Sequence, residues 1–189
     1  MENMSPFDFL AIIIAIPMGL ALVEIAQGMS TTLRRRHEIK VGVLTPLLSL
    51  YLLLIISNAW LSLWGAQEVL TVERATLFFG LLVSVVFYIA ASFAVPDAPK
   101  TGSDLDDWFL ANRKFSLGGT FLLVTLVEIY LGQRFTTWPE MDNASKQFGY
   151  IVGFSLRPAL ILAVILLPKR SALGVLLLLV GLEILTLAT

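Results

Sequence analysis

Cysteine is absent from this chain of 189 residues, and histidine occurs only once, as His37. Without thiols the protein forms no disulfides, and thiolate catalysis, iron–sulfur clusters and cysteine-ligated zinc are excluded. A single histidine also excludes bis-histidine haem and metal sites that are built from several imidazoles. We therefore expect neither a cofactor nor a metal centre.

Charged residues are scarce as well, at 14% of the chain compared with about 25% in soluble domains. Hydrophobic residues make up 57%, and the mean hydropathy is +0.85. This composition excludes a disordered chain, a coiled coil and a soluble enzyme, and it predicts an all-α polytopic membrane protein. The net charge of −1 offers no electrostatic basis for binding nucleic acid, so the lipid bilayer is the expected partner.

A helix needs about 20 mostly apolar residues to cross the hydrocarbon layer of a bilayer. We expect one six-helix transmembrane domain over residues 1–189, with an interfacial helix at about 104–114 lying along the inner membrane surface. The first span lacks a basic leading region, so we expect it to be retained rather than cleaved as a signal peptide. The six predicted spans cover residues 7–28, 41–64, 75–95, 116–137, 148–167 and 171–188.

The distribution of Lys and Arg predicts the orientation of these spans. Nine basic residues lie in the loops after the first, third and fifth spans, against three on the opposite side. Positively charged loops stay in the cytoplasm, so both termini are predicted to lie outside, with the protein in a bacterial inner membrane. Trp60, Trp64 and Trp138 then fall near the outer interface, where aromatic side chains are enriched.

A further pattern covers roughly the first 115 residues. It consists of a short first span, an arginine run at 34–36 and a second span that ends in Trp60 and Trp64. In these features the chain resembles uncharacterised small multi-pass membrane proteins of bacteria. The resemblance assigns a role to no individual residue.

Two matching segments suggest an internal repeat. Residues 22–25 and 126–129 both read LVEI, and in each case a glycine follows three residues later, at an offset of 104 residues. The copies lie in the first and fourth predicted spans, so a 3+3 repeat would have the inverted topology found in many transporters. The alternative is a chance match, because apolar segments draw on few residue types.

Ionisable residues inside the predicted spans are the main candidates for a site, because a charge at the bilayer centre costs about 2.5–3.5 kcal/mol without a partner or water. Arg157 lies near the middle of its span and is expected to pair with Glu128 or Glu183, which share its outer layer. Such a pair would either line a solute pathway or lock helices together. Pro158 follows the arginine and cannot donate a backbone hydrogen bond, which loosens the helix there.

Glu24 lies in the inner third of the first span. It is expected either to line a pathway as a protonatable carboxylate or to accept a hydrogen bond from a tyrosine or asparagine. Three acids against one arginine leave an acidic surplus, which favours cation or proton handling over anion transport. The candidate partners of Glu24 are Tyr51, Tyr88, Tyr130 and Asn58.

A basic run follows the first span, and its members are candidates for contact with anionic lipid headgroups. The alternative is that the run only sets the topology of that span. The residues concerned are Arg34, Arg35, Arg36 and Lys40.

The motifs HExxH and GxSxG and a glycine-rich phosphate loop are all absent, so we do not expect an enzyme. The leading hypothesis is a small transporter or channel for a cation, a proton or a small polar solute. Its rival is an accessory or scaffold subunit that packs against another membrane protein or a second copy of the chain. A hydrated cavity that reaches Glu128 and Arg157 would favour transport. A dry ion pair, with a small-residue helix face exposed to lipid, would favour the subunit.

The predicted topology is testable by cysteine scanning, because no native thiol interferes. Single cysteines at Lys40 and Gly102, in predicted cytoplasmic loops, should resist an impermeant maleimide in intact cells. Cysteines at Gln67 and Asp142, in predicted outer loops, should react. Labelling of the first pair in unbroken cells would overturn the orientation.

Overall fold

The computed structural model describes residues 5–65, 67, 73–96, 99–135 and 144–188, with the backbone alone described at 128–135, 144–154 and 188. Within these residues the chain is all-helical, and each predicted apolar stretch contains a helix, which confirms the all-α part of the predicted fold class. The six helices are α1 (Pro6–Arg34), α2 (Leu44–Gly65), α3 (Arg74–Ser92), α4 (Leu105–Phe135), α5 (Ala144–Leu166) and α6 (Lys169–Ala188).

Four of these helices are long and apolar enough to cross a membrane, judged on the described residues by length and composition: Pro6–Arg34, Leu44–Gly65, Arg74–Ser92 and Lys169–Leu187. Helix α5 contributes a shorter apolar segment, Ser155–Leu166. Large apolar side chains also cover the outside of the bundle. On α1 alone, Phe9, Ile12, Ile16 and Leu20 are each at least 51% exposed. Such a surface suits lipid rather than water and supports a membrane-embedded protein.

Helix α2 lies at the centre of the bundle. It packs against α1, α3, α4 and α6, and nine of its residues are buried. Neighbouring helices α1 and α3 pack closely because glycines meet bulky side chains between them. Gly28 of α1 faces Val95, where an added Cβ would lie 2.7 Å from the valine Cβ, and Gly80 of α3 faces Ile14. Small residues allow this close backbone approach in membrane bundles.

The end of the bundle at which α2, α4 and α6 begin is held by Asp106, a residue only 7% exposed. Its Oδ1 accepts hydrogen bonds from the backbone N–H groups of Val43, at 3.1 Å, and Leu44, at 2.9 Å. Its Oδ2 lies 3.0 Å from Nζ of Lys169, the first residue of α6. Asp106 is itself in the first turn of α4, so one carboxylate ties the starts of three helices together.

Gly42 makes room for this arrangement. It has a left-handed φ of +59°, and any Cβ there would overlap the Asp106 carboxylate. The flanking loops are also joined by backbone hydrogen bonds. The N–H of Lys40 donates to the Ser103 carbonyl, and the N–H of Leu105 donates to the Lys40 carbonyl, both at 2.9 Å. We call this closed region the Asp106 end of the bundle.

The separate interfacial helix predicted at about 104–114 is not present. That segment continues without a break into the predicted fourth span, and the two form the single helix α4. No proline interrupts residues 105–135, and the glycines Gly118 and Gly119 are tolerated inside the helix. The Ser116 hydroxyl donates to the Ala90 carbonyl at 2.8 Å, so the junction between the two predicted segments is packed against α3.

We expect Asp106→Ala to lower the melting temperature of the detergent-solubilised protein, because the first turn of α2 loses its acceptor. Loss of a helix N-cap costs about 0.5–2 kcal/mol. Asp106→Asn keeps one acceptor oxygen and should be less harmful. The matched control is Asp107→Ala, which removes an exposed carboxylate from the next position. Equal melting of the Asp106→Ala and Asp107→Ala proteins would contradict this role.

Candidate functional site

A cavity of about 230 Å³ lies in the half of the bundle opposite the Asp106 end. Side chains from all six helices line it, and most of them are apolar, including Leu10, Met18, Phe87 and Leu123. It extends towards the end of α2 and the beginning of α3. A mostly apolar pocket with a few polar groups is the usual form of a small-molecule site.

Among the described residues, the charged part of the cavity wall is an ion pair between α5 and α6. Arg157 Nε lies 3.2 Å from Glu183 Oε1, and both residues line the cavity. The predicted pairing of Arg157 with a glutamate is thus confirmed, with Glu183 as the partner. A buried ion pair needs further hydrogen bonds to offset the cost of removing both charges from water.

Asn58 of α2 supplies such bonds to the glutamate. Its Nδ2 donates to Glu183 Oε2 and, at 3.3 Å, to the Glu183 carbonyl. The same nitrogen lies 2.9 Å from the hydroxyl of Thr186, one turn further along α6. The carboxylate is therefore bound between α2 and α5, and this contact could not be assigned from the sequence, where Asn58 was grouped with the possible partners of Glu24.

The two members of the pair differ in accessibility. The Arg157 side chain is 28% exposed, whereas the Glu183 side chain is fully buried. Among the residues whose side chains are described, the structure gives the two Nη nitrogens of Arg157 no hydrogen-bond partner. Helix α5 runs unbroken through Pro158. Arg157 therefore lies on a regular helix, next to a proline that has no backbone N–H to donate. The guanidinium group is the accessible charge of the site.

Glu24 is not brought to this cavity. It is half-buried on α1, and the Tyr88 hydroxyl of α3 donates to its Oε1 over 3.4 Å. This is one of the tyrosine partners expected from the sequence. The Glu128 side chain lies outside the described part of the chain, although the preceding residue, Val127, lines the cavity.

The basic run after α1 is divided between two environments. Arg35 is held within the protein, since Nη2 pairs with Glu38 at 2.8 Å and Nη1 donates to the Pro99 carbonyl at 2.6 Å. Arg34, Arg36 and Lys40 are exposed. Arg34 and Arg36 border an open surface groove together with His37, Met29 and Leu33. Contact with lipid headgroups stays a prediction for the exposed members of the run.

Two further charged residues have roles that the sequence analysis did not assign. The Asp106 carboxylate holds the starts of α2 and α6. Arg113 Nη1 donates to the carbonyls of Val164, at 3.0 Å, and Leu167, at 2.6 Å, and so satisfies the end of α5. Both contacts join distant parts of the chain, and no local pattern signals them.

Comparison with known proteins gives no identification. No family model, curated protein or solved structure matches the chain. The resemblance to small multi-pass bacterial proteins therefore stays a prediction. Within the described residues, no group of three or more histidine, aspartate or glutamate side chains could hold a metal ion.

We expect Arg157→Ala to destabilise the protein strongly, because it leaves the Glu183 carboxylate buried without a counter-charge. Breaking a buried pair by removing one partner costs about 3–5 kcal/mol. Arg157→Lys should restore only part of the loss, since lysine lacks the planar fork. The double variant Arg157→Met, Glu183→Met removes both charges and should melt well above Arg157→Ala.

The control for general effects of losing a basic residue is Arg170→Ala, at an exposed position near the start of α6. Its melting temperature should stay near that of the unmodified protein. If Arg157→Ala melts together with this control, the pair contributes nothing to stability.

Proposed function

We propose that the chain is a membrane transporter that binds a small polar solute in the cavity and carries it across the bilayer. The observation that carries this proposal is the position of the Arg157–Glu183 pair in the wall of a cavity formed by all six helices. If the Arg157–Glu183 pair only held α5 against α6, no cavity would be needed beside it. An accessible arginine in an otherwise apolar pocket provides an orienting contact for a solute.

The closed Asp106 end favours a carrier over an open channel. Between the cavity and that end, Ile25, Tyr51, Leu52 and Ala94 are fully buried in the core. The loops beyond them are joined by backbone hydrogen bonds. A solute that entered the cavity would meet packed side chains, so passage requires the helices to rearrange, as in alternating access.

The proposal includes six membrane crossings with both termini outside a bacterial inner membrane. The bias of Lys and Arg between the two sets of loops supports this orientation. Contacts between helix ends fit alternating directions, since Phe7 at the start of α1 packs edge-to-face on Trp64 at the end of α2. On this topology the cavity opens towards the outer face and the Asp106 end faces the cytoplasm.

The inverted repeat stays a prediction, and the helix packing does not mirror it. Helix α1 packs extensively against α3, whereas the corresponding pair, α4 and α6, shares at most a marginal contact among the described residues. Val23 of the first LVEI segment is 48% exposed, while Val127 of the second lines the cavity. The mechanism proposed here does not require the repeat.

One observation favours the rival hypothesis of an accessory subunit. Gly174 and Gly181 lie exposed on α6, and a Cβ added at either would meet nothing within 4 Å. Small residues on an outer helix face allow close packing of another membrane helix. A subunit of this kind would bind a partner through α6 and would move no solute by itself.

Transport can be measured in proteoliposomes with radiolabelled lactate, glycerol and rubidium, and with an internal pH dye for protons. We expect uptake of at least one probe above that of protein-free vesicles. Arg157→Gln should reduce that uptake by about tenfold or more, as for a loss of about 1.4 kcal/mol of binding. Arg170→Gln is the matched control and should leave uptake unchanged. If no probe enters and a second membrane protein co-purifies in equal amount, the accessory hypothesis replaces transport.

A further inference from the structure

The chemistry of the ion pair indicates which charge a solute contacts. The Arg157 side chain lines the cavity, is 28% exposed and has guanidinium nitrogens beyond the one that faces Glu183, whereas the Glu183 side chain is fully buried. A solute in the cavity therefore reaches the arginine first. A guanidinium group binds carboxylates through parallel hydrogen bonds, so a carboxylate is the matching group.

The two charges also differ in how they respond to losing each other. An arginine keeps its charge under all useful conditions, so a cation that took Glu183 away would leave an uncompensated guanidinium in the membrane. A carboxylate that loses its counter-charge in a buried site can take up a proton and become neutral. It therefore costs less for a second anion to replace Glu183 at Arg157 than for a cation to replace Arg157 at Glu183.

The groups around Glu183 can also accommodate its neutral, protonated form. Helix α6 packs against α2 and α5, and these present Asn58 and Arg157 to the glutamate. Among the described side chains that line the cavity, Arg157 and Glu183 are the only charged ones, and they carry one positive and one negative charge. After protonation, the glutamate can keep the hydrogen bond from Asn58, because a carboxylic acid retains an acceptor oxygen.

The size and walls of the cavity define the rest of the ligand. Its volume is 230 Å³. An engineered apolar cavity of about 150 Å³ binds benzene, so this one has room for a short apolar body and a carboxylate. Leu10, Met18, Phe87 and Leu123 would surround the apolar part. A polyol or an inorganic ion would leave these walls without a matching partner.

We propose that the solute is a small monocarboxylate with an apolar tail, and that its binding is coupled to uptake of one proton by Glu183. This inference rests on the proposed function and names its substrate class. The ligand carboxylate forms an ion pair with Arg157, Glu183 is displaced, and a proton from solution converts its carboxylate to the acid. One negative charge and one proton enter together, so the summed charge of Arg157, Glu183 and the solute stays at zero.

The coupling can be measured by calorimetry on the protein in lipid nanodiscs, with hexanoate as the probe. Titration in two buffers of different ionisation heat gives the number of protons taken up. The unmodified protein should take up close to one proton per hexanoate at neutral pH. The affinity should weaken by about tenfold for each unit rise in pH. Hexanamide and hexylamine, which lack the carboxylate, should not bind.

Variants separate the two parts of the proposal. Glu183→Gln should bind hexanoate at least as tightly as the unmodified protein, without proton uptake and without pH dependence. Arg157→Gln should lose at least tenfold in affinity, and the control Arg170→Gln should lose none. Because Arg157→Gln risks misfolding, the proton count and the hexylamine titration on the unmodified protein serve as independent tests.

Hexanoate binding without proton uptake, or binding of hexylamine in its place, would overturn the proposal. Failure of the proposed function is distinguishable from these results. If hexanoate does not bind but another probe enters vesicles in an Arg157-dependent way, transport stands and this substrate class is wrong. If hexanoate binds with one proton but no probe crosses the bilayer, the site chemistry stands and transport fails.

Discussion

The Asp106 carboxylate is the contact on which the arrangement of the helices depends most. It accepts two backbone hydrogen bonds from the first turn of α2 and pairs with Lys169 at the start of α6, while its own backbone belongs to α4. Because α2 packs against α1, α3, α4 and α6, fixing its first turn fixes the position of the central helix. Gly42 lies next to this carboxylate with a left-handed backbone conformation. A glycine is needed there because a side chain would occupy the volume of the carboxylate.

Because the helices are tied together at the Asp106 end, the opposite half of the bundle can contain a cavity. At the Asp106 end, backbone groups at the helix termini are satisfied by charged side chains, with Arg113 bonded to the end of α5 as Asp106 is to the start of α2. In the opposite half, Arg157 and Glu183 are the only charged residues among the described side chains that line the cavity. The transporter that we propose requires the helices to rearrange around the cavity, and the contacts at the Asp106 end can be kept while they do so.

Hydropathy predicted the helices of this protein well, because each apolar stretch must form helix to satisfy its backbone in lipid. The number of residues along each predicted span also placed Arg157 and Glu183 at a similar depth in the membrane, and the two residues form an ion pair in the structure. The continuity of α4 was missed because a charged first turn resembles an interfacial helix in sequence. The roles of Asp106 and Asn58 depend on contacts between residues more than 60 positions apart, which local sequence patterns do not encode.

The count of charges in the sequence suggested cations or protons, since three acids outnumber one arginine within the predicted spans. The structure separates the two acids whose side chains it describes. Glu24 bonds Tyr88 away from the cavity, and Glu183 is buried behind its arginine. For the solute that we propose, the charge that matters is therefore the more exposed one of the pair, which is the positive charge of Arg157. In our proposal the buried acid still matters, because it takes up the proton when the solute binds the arginine. An acidic surplus and an anionic solute are compatible when the proton travels with the anion.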